Sequence, residues 1–360
     1  VTAPGPAADV APDVAPGAAP GADPGQPASE HYLRTMPKVE LHCHLEGSVP
    51  AATAIALARR NGTSLPTTDP EQLYRFSDLE GFLDLYRAVS QAMVSADDFA
   101  EVTYSSLSDA ARSSNLRYRE IAFNPTNHPG LSVRDMLAGI SDGLDSARRD
   151  HGVQAKVIVA INREHSAQTA LELVRAVADC GSPDVVGVGL DHNELLGPPQ
   201  RFAEAYQLAK AAGLGRTAHA GERGDAVEVA DSIELLDLQR VDHGYAVLAD
   251  ARLIARSIER SIHFAACWST SAFHAGAGNT SPIEAMMAAG LDVSVSSDDP
   301  PFFATDIGTE YVRAGTQLGW TTGRARHQVL AAASAAFLAG AEREDLITSL
   351  RGELDAFDDA

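Results

Sequence analysis

Between Lys38 and Ser296 the chain alternates short apolar runs rich in Val and Ile with longer amphipathic stretches. That rhythm builds a parallel sheet, because a parallel neighbour is reached only through a crossover of a dozen or more residues, usually a helix. The runs are Lys38–His42, Leu116–Phe123, Lys156–Ile161, Val185–Leu190, Gly215–His219, Arg240–His243, Ser261–Cys267 and Leu291–Ser296, eight in all. Helical patterns separate them, among them Arg201–Ala212 and Ala226–Leu236, and Ile307–Gln317 and Ala325–Gly340 follow the last. Eight such units predict an α/β fold of the (β/α)8, TIM-like barrel type, with chemistry on the loops at the C-terminal strand ends. A doubly wound open sheet would favour a glycine-rich turn after the first strand. Here that turn reads His42-Cys43-His44-Leu45-Glu46-Gly47, with no GxGxxG.

Roughly 70 residues separate the first strand from the second, far more than the usual connection. The interval predicts a helical insertion over about 48–115, with Ser48 as N-cap, Pro50 in the first turn, a helix over Ala51–Arg60 and Asn61-Gly62 closing it. A second helix carries Phe82, Leu83, Leu85, Tyr86, Val89 and Met93 on one apolar stripe. Leaving the barrel at its catalytic end, the insertion could roof a pocket or merely extend the core. The barrel itself is expected over 31–360. Before it, Val1–Ser29 holds nine Ala, seven Pro and four Gly with no Lys or Arg, so residues 1–30 are expected to be a disordered tail. It lacks the basic-then-apolar order of a secretory leader.

Charge narrows the partners. With 49 acids against 28 bases, a formal net of -21, the chain would repel nucleic-acid duplexes and anionic membrane surfaces. No run approaches the roughly 20 apolar residues that span a bilayer. Three distant cysteines, Cys43, Cys180 and Cys267, form neither a disulfide framework nor a CxxC clip, and the cytoplasm is the expected compartment.

The polar residues at strand ends carry the chemistry. His42 and His44 lie two apart on an extended segment, so their imidazoles share a side and Cys43 faces the other way. The fifth strand ends Thr217-Ala218-His219-Ala220-Gly221-Glu222, the sixth Val241-Asp242-His243-Gly244-Tyr245, and the eighth Ser296-Ser297-Asp298-Asp299-Pro300. In a barrel these ends converge on one mouth. Any one of these histidines reads equally well as a structural residue; their joint placement points to a metal. Three neutral imidazoles and one carboxylate suit a borderline-soft ion such as zinc, with a water completing the shell. His44-Leu45-Glu46 fits half of the cytidine-deaminase signature, but the PCxxC half is missing.

The stretches Pro37–Gly47, Thr217–Glu222, Asp242–Tyr245 and Val293–Pro300 together resemble the adenosine deaminase family, within the metal-dependent amidohydrolase superfamily, from about Tyr32 to the C-terminus. The resemblance implies His42, His44, His219 and Asp298 as ligands of one Zn2+ per chain. It further implies Glu222 as the proton-shuttling acid, His243 as the group orienting the attacking hydroxide, and Asp299 as a second aspartate on water or purine. Two-metal relatives commonly bridge their ions with a carbamylated lysine. The only lysines here are Lys38, Lys156 and Lys210, none at a strand mouth.

Departures from that pattern bear on the substrate, expected to be a purine base or nucleoside. Adenosine deaminases usually read HLDG, with the Asp toward the ribose; this chain has Glu46, two residues after His44 and expected on its side of the strand. HLEG, like Gly187-Val188-Gly189-Leu190-Asp191, looks more like the adenine deaminases. His192 takes the position of a glycine whose N–H meets the purine, and Trp268 begins the divergent Trp268-Ser269-Thr270-Ser271 after strand seven. Glu46, Gly189, His192 and Trp268 are therefore the expected substrate contacts. The expected activity is zinc-dependent hydrolytic deamination of a 6-aminopurine, adenosine-like in mechanism. Adenine, or a 5′-modified nucleoside such as aminodeoxyfutalosine, are alternative substrates. A non-catalytic purine-binding homologue and another amidohydrolase are the competing classes.

Overall fold

A computed structural model describes residues 25–275 and 281–358. Among these, nine strands form: β1 (Lys38–His44), β2 (Leu116–Phe123), β3 (Gln154–Asn162), β4 (Val185–Asp191), β5 (Gly215–Arg216), β6 (His219–Ala220), β7 (Arg240–His243), β8 (His263–Cys267) and β9 (Asp292–Ser296). All pair in parallel, β1 to β5 in one sheet and β6 to β9 in another, each in sequence order. The expected fifth strand is thus two pieces. Gly215-Arg216 pairs with β4 and His219-Ala220 with β7. Between them Thr217 N donates to Val188 O and Asp242 N to Ala218 O, so the backbone joins the two sheets. The opposite seam closes where Cys43 bridges Asp298, with Asp298 N donating to His42 O and His44 N to Asp298 O. The result is the TIM-like barrel of the sequence expectation.

Between β1 and β2 lie the helices Ala51–Asn61, Leu79–Ser90 and Ala96–Ser114. Pro50, not Ser48, is the N-cap of the first, because Glu46–Ser48 winds into a 3-10 turn in which Ser48 Oγ donates to Leu45 O. Residues 1–24 of the expected tail lie outside the described residues. Its end is ordered: Pro27 pairs antiparallel with Thr321, Ala28 N donates to Trp320 O, and Ser29 caps the helix Glu30–Thr35. The extended backbone around Thr321 supplies partners that composition alone does not reveal. Among the described residues no helix is long and apolar enough to cross a membrane.

The helix expected over Ala325–Gly340 stops at Ser334, and a new one runs from Gly340 to Asp358. The interruption serves the base of the barrel. There Phe337 N donates to Glu120 Oε1 (2.6 Å), and the Arg240 guanidinium lies 4.2 Å from the centre of the Phe337 ring. Glu120 and Arg240, both buried, pair at 2.7 Å. Gly215 admits the ring: a Cβ there would stand 2.3 Å from it. Gly215→Ala should therefore destabilise the fold by about 1–3 kcal/mol through overpacking, measured as a lowered urea midpoint at unchanged slope.

Candidate active site

The C-terminal strand ends bring the singled-out side chains together. His42 and His44 close β1, with Cys43 buried and turned away; His219 opens β6, His243 ends β7, and Asp298 follows β9 by two residues. His42 Nε2 stands 3.1 Å and His44 Nε2 3.4 Å from Asp298 Oδ1. The His219 ring centre is 4.8 Å from that of His42, 5.2 Å from His44 and 4.7 Å from His243. One ligand atom each of His42, His44 and His219 lies within 4.8 Å of the others, and the same holds for His42, His243 and Asp298. His243 and Asp298 hold φ of +66° and +64°, backbone conformations that cost of order 1–3 kcal/mol and tend to cluster at functional sites.

The donor set fits a divalent cation. His219 Nε2 is buried without a hydrogen-bond partner, a state that ligation would relieve, and His243 Nε2 beside it is likewise unpartnered. Burial, reinforced by the neighbouring histidines, holds His219 well below the ordinary imidazole value, and burial with His42 beside it lowers His44 as well. Both are thus neutral, the form that ligates. His42 moves the other way: against its burial, Asp242, 3.4 Å from Nδ1, and then Asp298 raise it. Nδ1 donates toward Asp242 and Nε2 toward Asp298; a bound cation would take the place of the Nε2 proton while Asp242 keeps the ring oriented through Nδ1. Asp298 is burdened by burial, yet the His42 hydrogen bond and the other histidines hold its carboxyl well below the usual range. Thr270 Oγ1 also donates to its Oδ2 (2.9 Å).

Beside this cluster opens a cavity of about 170 Å³. His44, His192, His219, Glu222, His243, Asp298 and Asp299 line it. Glu222 Oε1 stands 3.9 Å from His243 Nδ1, and Tyr245 Oη 3.3 Å from the same nitrogen. Asp299 Oδ1 is buried and unpartnered; burial, with the Asp298 charge alongside, pushes this carboxyl well above its usual range. Phe82, Leu83, Tyr86 and Phe303 make the apolar wall, the first three from the helix Leu79–Ser90 between β1 and β2.

Three expected substrate contacts lie elsewhere. Glu46 has no exposed surface and does not line the cavity. β1 ends at His44 and the chain enters the 3-10 turn, so the strand alternation that would have kept Glu46 on the side of His44 is lost. Its Oε1 accepts instead from Asn124 N (2.9 Å) and His128 Nε2 (3.1 Å), and its Oε2 is buried without a partner. Gly189 sits a layer deeper in the barrel, among Ile158, Ala160 and Thr217. Trp268 packs half-buried against the core, and Thr270 of the same turn reaches the cavity. His192, at φ +70°, does line it, and its Nδ1 pairs with Asp191 Oδ1 at 2.7 Å.

Sequence reasoning passed over Asp242, Thr270, Tyr245, Asn124 and His128. Asp242, Tyr245 and Asn124 are polar residues at strand ends, so the criterion that selected the histidines would have found them. The lysines lie away from the cavity: Lys38 donates to Arg34 O, Met36 O and Ser114 O, Lys156 to Pro183 O, and Lys210 pairs with Asp237.

Comparison with known proteins places this geometry. The family model for adenosine deaminase matches residues 37–352. An adenine deaminase of Streptomyces coelicolor is 33% identical over 342 residues, 90% of this chain and 96% of that protein. Another, from Vibrio parahaemolyticus, is 34% identical over 76% of this chain and 82% of its own length. Among solved structures, an amidohydrolase from Burkholderia ambifaria with bound zinc superposes with a TM-score of 0.85 at 30% identity, covering 95% of this chain and 97% of that one. The adenine deaminase from Arthrobacter aurescens does so with a TM-score of 0.83 at 30% identity, over 91% of this chain and all of its own.

Proposed function

The chain belongs to the adenosine deaminase family, and from that premise we propose that it deaminates the free base adenine with one zinc ion per chain. Hydrolytic replacement of the 6-amino group of a purine, with release of ammonia, is its reaction class. His42, His44, His219 and Asp298 are the ligands in this proposal, and their mutual distances and the unpartnered His219 Nε2 support it. An ion bound there lowers the pKa of a water to about 7 and so supplies a nucleophile at neutral pH.

The remaining chemistry belongs to the side chains. Glu222 protonates the ring nitrogen next to the attacked carbon, which makes that carbon electrophilic, and later passes a proton to the departing amine. His243, 3.9 Å from the Glu222 carboxylate, holds the attacking water and steadies the charge that grows on its oxygen. Asp299, with an unpartnered buried oxygen beside the cavity, hydrogen-bonds the purine edge. Phe82, Tyr86 and Phe303 cover the ring and exclude bulk water. Atoms balance as base plus water giving a 6-oxopurine plus ammonia.

The observation that carries the free base over the nucleoside is the placement of Glu46. This carboxylate has no exposed surface and lies outside the cavity lining; Oε1 accepts from Asn124 N and His128 Nε2, and Oε2, buried without a partner, is likewise not presented to a ribose hydroxyl in the cavity. Adenine should therefore exceed adenosine in kcat/KM by at least about a hundredfold, the scale of about 2.7 kcal/mol, in an ammonia-release assay. Equal or better turnover of adenosine would reject the base reading and leave the deaminase reading standing.

A further inference from the structure

The segment from His219 to Gly224 carries a proposed metal ligand at one end and the proposed acid near the other, yet β6 ends at Ala220 and no regular element continues it. Beyond the β7 pairing of His219 and Ala220 and the bond from Ala246 N to Gly221 O, its backbone polar groups are met by three side chains. Arg163 donates from one guanidinium nitrogen to His219 O (2.5 Å) and from the other to Glu228 Oε1 (3.0 Å), and Glu228 Oε2 accepts from Gly221 N (2.9 Å). Beyond that point one carboxylate takes over. Glu194 Oε1 accepts from Glu222 N (3.2 Å), and its Oε2 accepts from Arg223 N (3.0 Å) and Gly224 N (2.5 Å). Three successive N–H groups converging on one anion form a backbone nest. Glu194 is 5% exposed, so these bonds replace the hydration it has lost.

We infer that Glu194 is a positioning residue for catalysis: it sets where the Glu222 carboxyl stands by fixing the backbone that bears it. Gly224 belongs to the same device, since a Cβ there would stand 2.9 Å from Glu194 Oε2 and displace the carboxylate. The tether comes from the loop after β4, the strand neighbouring this segment, and that loop also carries His192 on the cavity wall. Glu194 thus ties the proposed acid to the wall the purine meets. A displacement of about 1 Å at a reacting group is worth about a hundredfold in rate.

This inference rests on Glu222 being the acid. Glu194→Gln keeps the shape but retains one oxygen where two serve three donors, and it turns an N–H2 toward them. With adenine as substrate, kcat should fall about ten- to a hundredfold while KM stays within about threefold and zinc content is unchanged. The decisive measurement is the double substitution. If Glu194 acts through Glu222, adding Glu194→Gln to Glu222→Gln costs no more than about a further twofold, whereas a general structural role multiplies the two losses. Multiplying losses, or loss of zinc in Glu194→Gln, would overturn the inference. Gly224→Ala should reproduce the kcat loss. Should neither variant fold, amide exchange in the unaltered protein decides: the Glu222, Arg223 and Gly224 amides are protected if the nest holds, and unprotected exchange rejects it. A Glu222→Gln protein of near-normal turnover would bring down the acid assignment and this inference together. An inactive Glu222→Gln beside a fully active Glu194→Gln would remove only the role of Glu194.

Discussion

Glu222→Gln should lower kcat on adenine by about two to four orders of magnitude while the protein keeps its zinc and its thermal midpoint. The amide matches the carboxyl in size and still hydrogen-bonds, so packing at this largely buried site is conserved. What it lacks is a proton to give. Without protonation of the ring nitrogen, addition to the adjacent carbon must place charge on an aromatic ring, and collapse must expel an amine that has received no proton. Ammonia release under saturating adenine, paired with metal analysis of the same sample, gives both readouts. Near-normal turnover would transfer the chemistry to some other C–N or ester hydrolysis in which no ring nitrogen needs an acid.

Exhaustive chelation should abolish turnover to below about a thousandth of the starting rate, and His219→Ala or Asp298→Ala should lower zinc content and activity in parallel. His42, His44, His243 and Asp298 are buried and His219 is mostly so, a collection of polar groups without full hydrogen bonding around it. Such a group is costly unless a ligand serves it. An ion bound only by the native state also stabilises it, by about 4 kcal/mol at a thousand times its Kd. Chelation should therefore depress the melting temperature as well as the rate. Full activity in protein whose metal content is demonstrably nil would sink the metal assignment.

The barrel and the gathering of histidines were legible because both depend on short-range pattern. Val- and Ile-rich runs separated by amphipathic segments specify strand and helix locally, and residues at the ends of parallel strands share a mouth whatever the side-chain details. Legibility failed where a long-range partner overrides the local pattern. The fifth strand splits because its two ends serve different neighbours. The run Ala325–Gly340 is uniformly helical in composition, yet Phe337 leaves the helix for a seat against Glu120 and Arg240. Glu46 was expected beside His44 by strand alternation, which holds only while the strand continues, and a 3-10 turn begins at that residue. Glu194 gave no signal in the sequence, since its partners are backbone N–H groups of a segment some thirty residues later.

The two seams of the barrel also set a timetable for its synthesis. β1 gains its second neighbour only when the chain has been made as far as Asp298, and the base is covered only when Phe337 has followed. Until then a nascent chain carries open strand edges on β1 and on the last strand made, together with the Glu120–Arg240 pair uncovered from below. Pairings of such long sequence separation form slowly, and unpaired edges invite contact with other chains. Closure of the barrel therefore waits for Asp298 and Phe337, and a chain ended before residue 337 should be bound by chaperones or degraded instead of acting as a smaller enzyme.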